Sequence, residues 1–415
     1  MKRFILTIAL LSSALVAGAQ TSIEEVLRSV ETNNKELQAN RQMVTAQKLE
    51  AKLDNNLPDP TVTYSHLYGN KEGMGFTGEL VASQSFDFPS LYMQRNKLSK
   101  QKGENYDRQG EEVRQQILLQ AKEACLDLIF LNQQKNLLDI RRKSAEQLAA
   151  LYQQRLEQGD ANILETNKIE LELLNVRNEV RMNEAARVNK QRELEMLNGG
   201  IAIQLTDTAY EVVELPLSFA DLRQEILEND RRLLSLQSAK AVSSRQISVN
   251  KTMGLPSFEL GYRMNPSSGG ERFNGFLVGI SIPLFSNRNN VKQAKAQNLY
   301  TDLQLESTMT AVENELLQLY NQSVALKTSI DEYGEVLESQ NNLALLNKAI
   351  QAGQISMIEY FVDVTTLYQS MQNHMQLQNE YQKVMAQLYQ IHICHHCHGC
   401  ILGSTSDIAF IILTL

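Results

Sequence analysis

Two proline-free stretches of the chain carry apolar residues at steps of three and four. In the first the stripe is Ile117, Ala121, Ala124, Leu128, Leu131 and Leu138, interrupted by Lys135. In the second it is Met309, Val312, Leu316, Leu319, Ser323, Leu326, Ile330, Tyr333 and Leu337. A 3.5-residue period held over several heptads predicts coiled-coil helices. A helix from Leu91 to about Glu157 would be on the order of 100 Å long, beyond any ordinary globular helix. Two other zones alternate with period two: Thr61 to Tyr68 and Phe76 to Phe88, then Phe258 to Met264 and Phe273 to Phe285. These predict four strands. In the last, Phe276, Val278, Ile280, Ile282 and Leu284 face one way, and Gly275, Leu277, Gly279 and Ser281 the other. Gly69 to Gly73 and Pro266 to Gly270 supply the turns. Aromatic residues crowd into these zones, as they do at the interface girdles of membrane barrels.

The prolines mark the same map. A proline ring removes an N–H and clashes with the preceding helical turn, and six of the seven (Pro58, Pro60, Pro89, Pro256, Pro266 and Pro283) fall within or beside the two strand zones. The seventh, Pro216, lies in a connector. Leu57-Pro58 recurs as Leu255-Pro256, Ser85 to Phe88 as Ser281 to Leu284, and Gly159 with Glu165 as Gly353 with Glu359. The chain therefore reads as a tandem duplication with a period of roughly 196 residues. The expected divisions are a first repeat over 20–200, with strands at about 61–88 and a hairpin at about 90–198, and a connector over 201–218. A second repeat over 219–390 has strands at about 258–285 and a hairpin at about 287–390, and an atypical tail covers 391–415.

Composition fits long helices: no Trp, few Pro, and much Gln, Asn, Glu and Leu. The net charge of -8 is spread out, and the densest basic run is Arg141-Arg142-Lys143, so no nucleic-acid footprint is present. Lys2 and Arg3 precede an apolar run ending in Ala17-Gly18-Ala19, which predicts a signal peptide over 1–19 and an exported, unlipidated chain from Gln20. Only Cys125 precedes residue 390, so no disulfide framework is expected there.

The most specific local pattern is the helix-turn-helix tip. It reads Arg155-Leu-Glu-Gln-Gly159-Asp-Ala-Asn-Ile163-Leu-Glu165 in one copy and Ala349-Ile-Gln-Ala-Gly353-Gln-Ile-Ser-Met357-Ile-Glu359 in the other. With the duplicated strand pairs and long hairpins, the chain resembles the outer-membrane efflux factor family of the TolC type over roughly residues 22 to 389. The resemblance implies a mainly α fold with a membrane β-barrel. Each homotrimer would join four strands per chain into a twelve-stranded barrel, continued by a periplasmic tunnel of twelve helices. It further implies an outer-membrane location in contact with lipid, a passive channel without cofactor, and a periplasmic adaptor and inner-membrane pump as partners. Drugs, other small molecules and metal ions are all open as cargo. Four strands alone cannot close a barrel, and an open edge is not tolerated in lipid, so oligomerisation is expected on physical grounds too.

The family narrows its tunnel with carboxylates just past the tips, which makes Glu359 and Glu165 candidates for the constriction. The alternative is a solvated charge on a helix face. Family members often carry a second acidic residue three positions on. Here Val362 stands at that place and Asp363 follows. Gly159 and Gly353 are candidates for positive-φ tips met by the adaptor, the alternative being ordinary helix C-caps.

The tail crowds His392, Cys394, His395, His396, Cys397, His398 and Cys400 together. Cys394, Cys397 and Cys400 have a spacing that suits Zn²⁺ or Cu⁺. A non-native reading frame is the leading alternative, because the heptads and the Gln/Asn/Glu character stop abruptly; disulfides are a third. No catalytic constellation appears: His66 and His374 lack a nucleophile beside them, and Gly269-Gly270 is a turn without a following Lys-Ser/Thr. The competing functions are a periplasmic coiled-coil adaptor and a structural envelope protein. The first would require a lipoyl-like domain, and the second is at odds with the aromatic amphipathic strands.

Overall fold

Pro89 opens the longest element. Its missing N–H is one a helix leaves unpaired in any case, and from it α3 runs over Pro89–Glu157, 69 residues. The computed structural model describes residues 22–216, 218–339 and 342–393. In order, these form α1 (Ile23–Asn33), α2 (Lys35–Leu53), β1 (Thr61–Tyr68), β2 (Phe76–Phe86), α3 and α4 (Ile163–Leu197). After the connector come α5 (Phe219–Asn229), α6 (Arg231–Thr252), β3 (Ser257–Pro266), β4 (Arg272–Ser281), α7 (Asn290–Ser339), α8 (Asn342–Gln351) and α9 (Met357–Leu388). A short 3₁₀ turn, Gln390–His392, follows. The residues of the expected signal peptide lie outside the described residues.

Two compact units divide the described chain. The first takes residues 22–33, 120–213 and 326–383 and is helical apart from the connector. One of its cores joins Leu148 and Tyr152 of α3, Ile169 of α4, Ile350 of α8, and Tyr360 and Val364 of α9. Of the heptad stripe of α3, Ala121 and Leu128 are fully buried. Residues 201 to 213 have no regular structure, yet helix side chains satisfy their carbonyls. Asn132 donates to Leu205 and Asp207 at 3.3 and 3.0 Å, Gln133 to Thr208 at 2.8 Å, and Gln382 to Glu211 at 3.2 Å. The Tyr381 hydroxyl donates to Val213 at 3.1 Å, and the Gln191 amide to Ile203. Ile203 and Leu205 of the connector are buried, and backbone covered there without a ladder requires such partners.

The second unit takes residues 34–119, 214–325 and 384–393 and contains the sheet. The four strands run in the order β1-β2-β3-β4, each pair antiparallel, so β2 of the first repeat pairs with β3 of the second. β2 stops at Phe86 and β4 at Ser281, short of the expected Phe88 and Phe285. Pro89 and Pro283 explain both ends, since proline donates nothing to a ladder. Ile391 and Ile393 are buried at 3% and 7% exposure, so the packed chain runs past Gln390, where the atypical tail was expected to begin.

Candidate functional site

Both hairpin tips are built by one local rule. Gly159 has φ +78° and Gly353 φ +70°, and each closes a helix in a Schellman turn. At the first, Asp160 N–H donates to the Arg155 carbonyl at 2.8 Å and Gly159 N–H to Leu156 at 3.1 Å. At the second, Gln354 donates to Ala349 at 2.9 Å and Gly353 to Ile350 at 3.2 Å. A Cβ on either glycine would meet nothing within 4 Å, so both tips are open. The tips are also tied to each other, because Arg155 Nη2 donates to the Gln351 carbonyl at 3.2 Å.

Each return helix then starts with a capping box, a feature the sequence reading passed over. Asn162 precedes α4 and Glu165 Oε2 accepts its backbone N–H at 3.2 Å; Ser356 precedes α9 and Glu359 Oε2 accepts its N–H at 2.8 Å. The signal was legible as Asn162-x-x-Glu165 and Ser356-x-x-Glu359. The backbone hydrogen bond from Ser356, with the one to its side chain, holds the Glu359 carboxyl below the usual range. Glu359 is fully exposed and Glu165 half-buried. Asp363 stands one helical turn after Glu359, so the two carboxylates share a face of α9. Val362, at the place where the family pattern has an acid, is 60% exposed.

Behind the tips, Arg141 of α3 bonds Glu172 and Glu179 of α4 at 2.6 and 2.8 Å, and its guanidinium lies 5.4 Å from the centre of the Tyr368 ring of α9. Asp127 collects Lys383, Lys190 and Asn379 at 3.1, 3.3 and 3.0 Å. Burial pushes its carboxyl up, but these hydrogen bonds and charges outweigh burial and hold it below the usual range. Cys125 is buried, and burial pushes its thiol up to about 12, which makes it an inert packing residue.

The sheet has two chemically different faces. The strand registers put Tyr64, Leu80, Leu260, Tyr262, Phe276 and Val278 on one of them. Exposures of 93% for Phe276, 71% for Val278 and 56% for Tyr64 leave that face an uncovered apolar wall. The opposite face carries Thr63, Ser65, Ser83 and Glu259, and Glu79 paired there with Arg263. β1 and β4 are its edges. Such a face meets lipid in a barrel wall, and its polar reverse meets water.

Comparison with known proteins fits this architecture. Residues 222–392 match the outer membrane efflux protein family. The chain carries an outer membrane efflux protein domain. No curated protein matches the sequence. Among solved structures, CusC is 17% identical, covering 90% of this chain and 92% of its own at a TM-score of 0.75. The outer-membrane channel MtrE of Neisseria gonorrhoeae is 15% identical, covering 89% and 88% at 0.73. The outer membrane protein VceC of Vibrio cholerae is 14% identical, covering 89% and 95% at 0.70. The expected fold class, mainly α with duplicated strand pairs and long helical hairpins, is the fold of these channels. The matched domain begins in α5 and ends at His392, within the 3₁₀ turn that closes the described chain. His392 Nε2 lies 3.0 Å from Glu225 Oε1 of α5. The other metal candidates, Cys394, His395, His396, Cys397, His398 and Cys400, lie outside the described residues.

Proposed function

We propose that the chain is the outer-membrane duct of a tripartite efflux or secretion system, passing solutes from the periplasm to the exterior without chemistry on them. The observation that carries this reading is the four-stranded sheet, apolar and uncovered on one face, polar on the other and open at both edges, in a chain with an outer membrane efflux protein domain. Edge groups cannot stay unpaired in lipid, so a sheet of this kind spans a bilayer only when other copies close it. Three copies joined edge to edge give a twelve-stranded barrel, and the long hairpins complete a periplasmic tunnel.

In that assembly Glu359 and Asp363, with Glu165, line the periplasmic constriction. Carboxylates gathered round an axis favour cations and resist anions. The open turns at Gly159 and Gly353 are the surface for a periplasmic adaptor, which links the duct to an inner-membrane pump. Native mass measurement of the detergent-purified protein is expected to give three copies with single-channel conductance in planar bilayers. A folded monomer that does not conduct would overturn the reading.

A further inference from the structure

Beside Asp363 the end of α7, α8 and α9 enclose an open groove of about 720 Å³. That volume is within the ~300–1,000 Å³ typical of small-molecule sites. Its walls are apolar, with Val336 of α7, Leu345 of α8 and Leu367 of α9 among them. Val336 and Leu345 are 57% and 61% exposed, so apolar surface here is uncovered by the chain's own packing. Two carboxylates, Glu332 and Asp363, also line it, and Tyr333 adds a ring whose face attracts cations. No Lys or Arg is among the lining residues, and neither carboxylate has an ion pair or hydrogen bond among the described residues.

An apolar wall next to two unpaired negative charges selects by charge and by hydrophobicity together. A small inorganic cation would leave the apolar surface wet, and an apolar anion would be repelled. We infer that this groove binds lipophilic organic cations, the apolar body against Val336, Leu345 and Leu367 and the charge toward Glu332 and Asp363. As a cargo site the groove rests on the duct reading; the binding itself does not.

The test uses two probes of nearly equal size and shape and opposite charge, tetraphenylphosphonium and tetraphenylborate, in equilibrium dialysis against the assembled, detergent-purified protein. Tetraphenylphosphonium is expected to bind saturably and tetraphenylborate not. Asp363→Asn and Glu332→Gln should each weaken the phosphonium about two- to fivefold, the range of exposed charge pairs, and raised salt should weaken it likewise. Leu345→Lys, which sets a cation at the groove, should abolish saturable binding. Equal binding of the two probes, indifference to all three substitutions, or no saturable binding because a second copy fills the groove would each overturn the inference. Conductance of the same preparation without probe tests the duct separately, so failure of the groove and failure of the duct are distinguishable.

Discussion

Glu359 accepts the Ser356 backbone N–H at 2.8 Å while the Ser356 hydroxyl accepts the Glu359 N–H at 3.2 Å. One carboxylate thus caps a helix and still stands exposed at the hairpin tip. Gln can take the same place in a capping box, so Glu359→Gln removes the charge and keeps the turn. Cation selectivity in planar bilayers is expected to fall with this substitution, and the loss should shrink at high salt. Glu165→Gln, in the half-buried repeat position, should change it less. Unchanged selectivity at low salt would reduce Glu359 to a capping residue alone.

The same hydrogen bonds give a pH dependence. Because the Ser356 backbone N–H, then its hydroxyl, favour the ionised form, the folded-state pKa of Glu359 lies below the ordinary glutamate value. For a depressed carboxyl, the cap's contribution is present above the unfolded pKa and is lost as pH falls through the folded one. Selectivity should therefore persist on acidification past the ordinary glutamate range before collapsing. Carbon-detected NMR titration of the Glu359 carboxyl would give the midpoint, and a value at or above that of a free glutamate would contradict the assignment.

Glycines at two helix ends share one backbone conformation but not one environment. Gly353, with φ +70°, has open space around it, so Gly353→Ala should cost only the left-handed penalty of ~1–2 kcal/mol. Gly199, with φ +69°, would put its Cβ 2.3 Å from the Asn33 carbonyl oxygen, where backbone cannot yield cheaply. Gly199→Ala should cost a further ~1–3 kcal/mol from that overlap. Denaturant midpoints of the two variants would check the order; equal midpoints would mean that α1 gives way freely.

Arg141 joins three helices through one guanidinium, 15% exposed, bonded to Glu172 and Glu179 and stacked on Tyr368. Lysine offers a point charge without the planar fork. Arg141→Lys is therefore expected to lose about 2 kcal/mol, the scale of hydrogen bonds to charged groups. A double-mutant cycle with Tyr368→Leu should show coupling, and additive losses would remove the stacking from the account.

Much of this fold could be read before any coordinates, because its two periods are long and uninterrupted: the α3 stripe from Ile117 to Leu138 and the alternation from Phe273 to Ser281. What stayed hidden depends on contacts remote in sequence. The Asn and Gln residues suggested long helices by composition, yet Asn132, Gln133, Gln191 and Gln382 also lace the connector, which only their distance to its carbonyls reveals. The pairing of β2 with β3 joins residues nearly half the chain apart. The capping boxes were legible too, as Asn162-x-x-Glu165 and Ser356-x-x-Glu359, but a pore charge and a solvated helix charge were the only roles weighed for the two glutamates.

Where the heptads stop is a poor guide to where the fold stops. The pattern Met371, Met375, Gln378, Gln382, Met385, Tyr389 is complete at Tyr389, which suggests that a cut after Gln390 would be harmless. Packing argues otherwise: Ile391 and Ile393 are buried at 3% and 7% exposure, His392 meets Glu225, and the matched domain runs to His392. Losing two buried isoleucines removes on the order of 2–5 kcal/mol each. A chain ending at Ile393 is therefore expected to assemble and conduct like the full chain, whereas one ending at Gln390 should assemble poorly or unfold at lower temperature. Metal analysis belongs to the same comparison, since the Cys394, Cys397 and Cys400 spacing suits Zn²⁺ or Cu⁺. If residues 394–415 form no metal site, the full chain and the chain ending at Ile393 should purify with equal, substoichiometric metal. Stoichiometric zinc or copper in the full chain alone would instead make the tail a metal site and give the cysteines a function.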